Sequence, residues 1–248
     1  MDTMVIDRAR QVYLRWAGRR RGRAWWPSCM PCAVCLAPAP HGLCGACRAE
    51  LPYNGPACRR CARALPLAAE CPACQLHPPP FDAGVAALRY AFPADALVRR
   101  LKFTGKLHLA GCLGRLLLEA VQAAQPELPE ALVPVPLHAA RLRQRGFNQA
   151  LELCLVLQRG LGLPLARHCC VRARATLPQP GLSPAARRAN LRGAFVMRRA
   201  LGYRHVAIVD DVITTTSTVS ELARSLRHGG AERIDVWALC RSMPRPGA

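Results

Sequence analysis

Several absences bound this chain before anything in it is read. No stretch of its 248 residues approaches the roughly 18 to 20 uninterrupted apolar residues that span a bilayer, because Arg, Glu, Pro or Cys interrupts every apolar run. No apolar h-region follows the basic N-terminal residues either, so no secretory signal is expected, and the cytoplasm is the expected location. Lysine is nearly missing: only Lys102 and Lys106 occur, and every other basic residue is Arg, in a chain also rich in Ala, Pro and Gly. That skew is what general compositional drift produces. The net charge of +20 would suit nucleic acid or a heavily phosphorylated small molecule, but by itself it names no partner. Apolar residues are not scarce; at 51% they exclude a disordered tail and suffice for one sizeable domain and a smaller one.

Cysteine is abundant and unevenly placed, with nine of 14 between Cys29 and Cys74. In a reducing compartment such clusters are metal ligands or catalytic groups rather than disulfides. They form four C-x-x-C pairs, Cys32/Cys35, Cys44/Cys47, Cys58/Cys61 and Cys71/Cys74, separated by 8, 10 and 9 residues. Each pair can present two thiolates from one tight knuckle turn, and eight thiolates make two tetrahedral sites for structural zinc (Zn2+), whose binding supplies folding energy. Sequential and interleaved pairing of the knuckles both satisfy the count. Cys29/Cys32 is a further C-x-x-C, and an iron–sulfur cluster is the competing metal assignment.

Residues 1–28 carry seven arginines among Tyr13, Trp16, Trp25 and Trp26. Arginine for phosphates and aromatics for stacking would grip single-stranded nucleic acid. The plainer reading, which the pattern favours, is an amphipathic leader that packs Val5, Val12 and Trp16 on the body while its arginines stay solvated. The chain therefore divides into a basic leader (1–28), a tetracysteine-type zinc module (29–80) and a larger domain (81–248).

Beyond residue 81 the pattern alternates. Strands are expected at Val85–Phe92, Ala131–Pro136, Leu165–Val171, 206–210 and 233–240, and helices at Pro93–Phe103, Leu107–Ala124, Gly146–Gly160 and 218–228. Residues 176–190, with three prolines and little periodicity, read as a long loop. Alternation of this kind specifies an α/β fold: a mostly parallel sheet with helices on both faces.

His205–Val209 is a short apolar run suited to a buried parallel strand, and Asp210-Asp211 follow at its carboxyl end, where open α/β sheets bind ligands. Val212–Ser217 is a hydroxyl-rich turn, and Thr218-x-x-Glu221 has the form of a capping box opening a helix. Backbone amides, hydroxyls and a helix N-terminus meeting at one point make an anion site. Two carboxylates beside it suit vicinal hydroxyls or a bridging Mg2+. Phosphorylated ribose has that combination; the plainer alternative is that these residues only cap a helix.

The stretch IVDDVITTTST resembles the phosphoribosyl-pyrophosphate (PRPP) signature of type I phosphoribosyltransferases. The order of four cysteine pairs, LKFTGK (101–106), VPVPLHAARLRQRGFNQA (133–150), TLPQPGLSPAARRANLRGAF (176–195) and that signature is similar to the ComF/ComFC family of competence-associated proteins. The resemblance implies a type I phosphoribosyltransferase-like domain behind the zinc module. Asp210 and Asp211 would be its catalytic acids, holding the ribose hydroxyls. Thr214, Thr215, Thr216, Ser217 and Thr218 would cradle the 5-phosphate of PRPP, bound with Mg2+. Arg141 and Arg145, with Arg143 between them, would face the pyrophosphate, and loop 176–190, with Arg187 and Arg188, would close over the site.

One position departs from the signature. Thr216 stands where that loop normally has Gly, and a β-branched residue at positive φ costs on the order of 1 to 3 kcal/mol. The family implies an accessory protein of DNA uptake or utilisation, with single-stranded DNA and a helicase or translocase as partners. The signature leaves two alternatives, an active phosphoribosyltransferase with an unknown acceptor and a non-catalytic PRPP sensor.

Overall fold

The computed structural model describes residues 30–104, 107–174 and 191–243. The leader, Cys29, Lys106 and the loop 176–190 lie outside the described residues.

The cysteine-rich segment opens with a two-residue antiparallel pair, β1 (Met30–Pro31) and β2 (Pro38–Ala39), and carries two short helices, α1 (Gly45–Ala49) and α2 (Pro72–Leu76). Then come β3 (Ala83–Arg89), α3 (Ala94–Thr104), α4 (His108–Ala124), β4 (Ala131–Pro134), α5 (Ala139–Arg145) and α6 (Gln149–Leu161). The ribbon β5 (Cys170–Arg172) and β6 (Phe195–Met197) precedes the closing unit β7 (His205–Ile213), α7 (Ser217–His228) and β8 (Arg233–Arg241).

Strands β3, β8, β7 and β4 lie side by side in that order, every pair parallel. Period-two alternation along the strands divides the core. Leu132, Ala207, Val209 and Trp237 face one cluster, with Leu97, Leu101, Leu113, Leu117, Leu153 and Leu157 of α3, α4 and α6. Val133, Val206, Ile208 and Val236 face the other, with Val219, Leu222, Ala223 and Leu226 of α7. The sheet is thus covered on both faces, as the alternating pattern requires.

Both edges of the sheet are closed. At the β3 edge Tyr53 bridges Leu88 antiparallel, Asn54 N donates to Ala87 O (3.0 Å) and Arg89 N to Pro52 O (2.7 Å). At the β4 edge Leu132 bridges Leu165. Gly84 is needed because a knuckle crosses it: its N–H donates to Arg59 O (2.8 Å), and a Cβ there would stand 2.6 Å from Arg60 O. The cysteine-rich segment is therefore fastened to the sheet edge and contributes to both cores.

Several expected boundaries move. The apolar run at 206–210 continues as strand through Ile213, so both acids lie inside β7. Gly146 does not open a helix; at φ 79° it ends α5, and Asn148 caps the next helix by accepting from Ala150 N (3.0 Å). The expected strand 165–171 is reduced to a bridge at Leu165 and β5, because a turn at Arg167–His168, closed by Cys169 Sγ donating to Ala166 O (3.1 Å), intervenes. The short β6 and α5 were not legible as periodicity.

Candidate functional site

Proximity settles how the knuckles pair. Cys32, Cys35, Cys44 and Cys47 bring their sulfurs within 4.8 Å of one another, and so do Cys58, Cys61, Cys71 and Cys74. The pairing is sequential. Cys35 and Cys44 Sγ lie 3.6 Å apart and Cys61 and Cys71 Sγ 3.8 Å, close to the edge of about 3.8 Å that a tetrahedron with metal–sulfur bonds of about 2.3 Å requires. Backbone amides already point at the sulfurs: Cys44 N donates to Cys32 Sγ (3.5 Å) and Cys71 N to Cys58 Sγ (3.3 Å). Burial pushes these two thiols up, but the surrounding N–H donors outweigh it and bring Cys32 down to about 6 and Cys58 to about 7. Each cluster could hold a metal ion.

The second site lies at the carboxyl ends of β4 and β7. Chain leaving β4 runs to α6 on one face of the sheet, whereas chain leaving β7 runs to α7 on the other. The two loops therefore part between neighbouring strands, and a crevice at that point is where parallel sheets bind ligands.

Asp210 and Asp211 sit in this part of β7, 9% and 3% exposed. Asp210 Oδ1 accepts from Asp211 N (2.8 Å). Asp211 is held from two sides: Lys102 Nζ of α3 lies 2.5 Å from Oδ2, and Gln149 Nε2 of α6 donates to Oδ1 (3.3 Å). Burial would lower Lys102, but the Asp211 charge outweighs it and holds the ammonium above its ordinary value. Asp210 is driven well above the usual carboxylate range, first by burial and then by Asp211 beside it.

The block RGFNQ resolves into five separate tasks. Arg145 donates through Nη1 to Gln149 Oε1 (2.7 Å), and its guanidinium lies 5.7 Å from the Phe103 ring centroid. Gly146 supplies the left-handed turn, and Phe147 is buried. Asn148 caps α6 while its Nδ2 donates to Val135 O (3.0 Å), fixing the turn after β4, and Gln149 reaches Asp211. Burial lowers Arg145 and Arg172, and the charge of the acid pair opposes that shift in both. Arg141 is close enough to repel both guanidinium groups, whereas Arg143 is solvent-exposed.

Thr214 and Thr215 are exposed, and Thr216, Ser217 and Thr218 half-buried. Thr216 takes φ 61° and ψ −11°, the left-handed conformation expected of the glycine it replaces. It is the N-cap residue of α7 without a side-chain cap bond; Ser220 N donates to Thr216 O (2.8 Å), so the amides of residues 217–219 precede the helical ladder. The capping box read at Thr218-x-x-Glu221 is not formed. The helix starts one residue earlier, and Glu221 Oε1 accepts instead from Gly193 N (2.6 Å), tying α7 to the segment that follows residue 190.

Sequence reasoning missed Lys102, Phe103, Gln149, Arg172 and Arg241. The first three lay inside the LKFTGK and RGFNQ blocks, which marked the family resemblance without indicating a role for each residue.

These features can be set beside known proteins. No family model matches the chain. Competence protein F of Haemophilus influenzae is 39% identical over 222 residues, covering 86% of this chain and 96% of that protein. DNA utilization protein YhgH of Salmonella typhimurium is 38% identical over 222 residues, covering 87% and 97%, and that of Escherichia coli strain K12 is 37% identical with the same coverage. The chain belongs to the competence protein F family. Among solved structures, it is similar to an allosteric regulatory enzyme of purine biosynthesis (22% identity, 51% of this chain and 24% of that one, TM-score 0.32). It is similar to the same degree to glutamine PRPP amidotransferase of B. subtilis (23% identity, 50% and 24%, TM-score 0.34). Likeness at that level adds no weight to the fold or the site. Among the described residues no helix is long and apolar enough to cross a membrane.

Proposed function

We propose that this chain is an accessory protein of DNA utilisation of the competence type, whose α/β domain binds PRPP or a related phosphoribosyl ligand with Mg2+. The observation that carries this reading is a buried acid pair leading directly, at a parting of parallel-sheet loops, into a threonine loop and the free amides of a helix start. Asp210 and Asp211 supply acceptors for vicinal hydroxyls and Mg2+. Residues 214–218 supply hydroxyl and amide donors for a phosphate, and Arg141, Arg145 and Arg172 supply positive charge for a pyrophosphate. Bound Mg2+ would neutralise the ligand's oxygens beside the two carboxylates. The names of the relatives support the DNA context.

Calorimetry tests the site. Mg2+-dependent PRPP binding is expected, lost in Asp210→Asn/Asp211→Asn. Thr216→Gly relieves a strained φ and is expected to tighten binding by up to about tenfold, glycine's own entropy offsetting part of the gain. No heat with either the wild type or the glycine variant would overturn the reading.

Zinc is the metal we assign to both clusters, because four thiolates at tetrahedral spacing, with no further donor grouped with them among the described residues, make a closed structural site. Elemental analysis should find two Zn2+ per chain; iron, or a single zinc, would overturn that. The division into leader, module 29–80 and domain 81–248 is part of the same proposal, as is the cytoplasmic setting, where thiols stay reduced.

One observation favours single-stranded DNA as a macromolecular partner. Phe103 is 75% exposed although it follows Lys102 and lies against Arg145, giving an open aromatic face beside cationic groups. Affinity for a single-stranded oligonucleotide should fall steeply with salt and weaken about tenfold in Phe103→Ala; affinity indifferent to salt would remove DNA from the proposal.

A further inference from the structure

Arg241 is the last residue of β8 and is 2% exposed. Its guanidinium joins two places that lie far apart in the sequence. Nε donates to the carbonyl of Cys61 (2.9 Å), a member of the second cysteine cluster. Nη1 donates to the carbonyls of Ile213 (3.0 Å), Ser242 (2.9 Å) and Thr214, where the threonine loop begins. Ser242 N donates to Ile213 O (2.9 Å), so the end of β8 and the start of the loop are held as one piece.

A buried guanidinium needs a counter-charge. Among the described residues no carboxylate forms an ion pair with Arg241, and the groups its guanidinium meets are main-chain carbonyls, one of them that of the cluster residue Cys61. Four thiolates around a divalent ion keep a net charge of about −2. The loaded cluster is thus both the mechanical anchor and the electrostatic partner of Arg241. On its other side the same knuckle is clamped to β3 by Gly84 N donating to Arg59 O (2.8 Å).

Among the described residues the first cluster has no such link to the threonine loop. Its anchors run to the face covered by α3, α4 and α6, through Arg48 with Glu119 of α4 and Arg100 of α3 with Ala33 O. Its one buried member, Cys32, belongs with α4 residues to the core on that face, and half-buried Cys44 and Cys47 pack against that core.

We propose that Arg241 is a positioning residue that makes the threonine loop depend on metal in the second cysteine cluster and leaves it independent of the first. This rests on reading the loop as the phosphate site and the clusters as metal sites. Loss of the second metal frees the Cys61 carbonyl and removes the charge that keeps Arg241 in place, so residues 213–218 loosen and the ligand site is lost before the sheet unfolds.

The test uses the full-length, metal-loaded protein with Arg241→Met, Arg241→Lys, Cys71→Ser and Cys44→Ser. Three quantities are read on each: amide hydrogen exchange of the peptide covering 213–218, metal released to a chromogenic chelator, and Mg2+–PRPP affinity. Arg241→Met and Cys71→Ser should speed exchange in that peptide at least tenfold and weaken PRPP at least tenfold. Arg241→Met should still carry two metals, Arg241→Lys should recover part of the protection, and Cys44→Ser should leave the peptide's exchange within twofold of the wild type. If Arg241→Met does not fold, the lysine variant and graded metal extraction from the wild type give the same reading. Loop exchange unchanged by loss of the second metal, or equally raised by loss of the first, overturns the proposal. Exchange that responds as expected in a protein that never binds PRPP would instead sink the phosphate reading and leave the brace standing.

Discussion

The two cysteine clusters have the same ligands, similar knuckles and nearly the same spacing, yet they differ in where they are kept. Cys58, Cys61, Cys71 and Cys74 are all buried, whereas in the first set only Cys32 is; Cys44 and Cys47 are half-buried and Cys35 is exposed. The second cluster is sealed between the β3 edge, the α7 face of the sheet and Arg241; the first lies against α4 with one side in water. Identical coordination chemistry should therefore have different consequences, because the energy of a metal site includes the packing that depends on it.

The largest effect separates the clusters directly. Cys71→Ser should lower stability by roughly 4 kcal/mol or more, since a buried polar group and a lost metal act together, while Cys35→Ser should cost about 1–2 kcal/mol. Urea unfolding compares them, and equal losses would break the contrast. Next, Gly84→Ala forces a Cβ against the Arg60 carbonyl and should cost about 1–3 kcal/mol, with faster chelator extraction of one metal only, the one in the second cluster.

A third prediction carries the contrast between buried and open groups to the acid pair. Asp211 has Lys102 and Gln149; Asp210 is buried with its pKa raised, so ionising it works against folding. That penalty is absent below the unfolded-state carboxylate range near pH 4 and grows as pH rises toward the raised folded value. Asp210→Asn should therefore raise stability at pH 7 by on the order of 1 kcal/mol, and the gain should vanish near pH 4 in thermal melts. PRPP affinity should also rise with pH, as ligand binding expels the proton. The smallest effect is expected at the first cluster's outer anchor. Arg48 and Glu119 are each 46% exposed, so Arg48→Ala should change stability by no more than about 1 kcal/mol, and less in high salt.

How much of this was legible beforehand varied with the range of the interaction. The knuckles, the acid pair and four of the five expected strands are local patterns found near where the sequence put them, although strand bounds moved and 165–171 did not form as one strand. Thr216 was read as a residue at a glycine's position, and it does adopt positive φ. Glu221 shows the limit: its spacing from Thr218 matched a capping box, but Gly193, 28 residues away, offers an amide that the fold brings nearer. Lys102 and Gln149 were invisible as partners of Asp211 because nothing within one helix reveals which strand it will cover.

Ligand type, hydrophobic period and turn chemistry are properties of neighbouring residues, so the sequence by itself determined two tetrathiol sites, an α/β sheet and an acid–threonine loop. Only the tertiary structure decided that the knuckles pair sequentially, that one cluster is sealed and the other open, and that Arg241 ties the sealed one to the loop. Those outcomes depend on burial, and burial of a charge or a thiol is set by whatever packs over it from elsewhere in the chain.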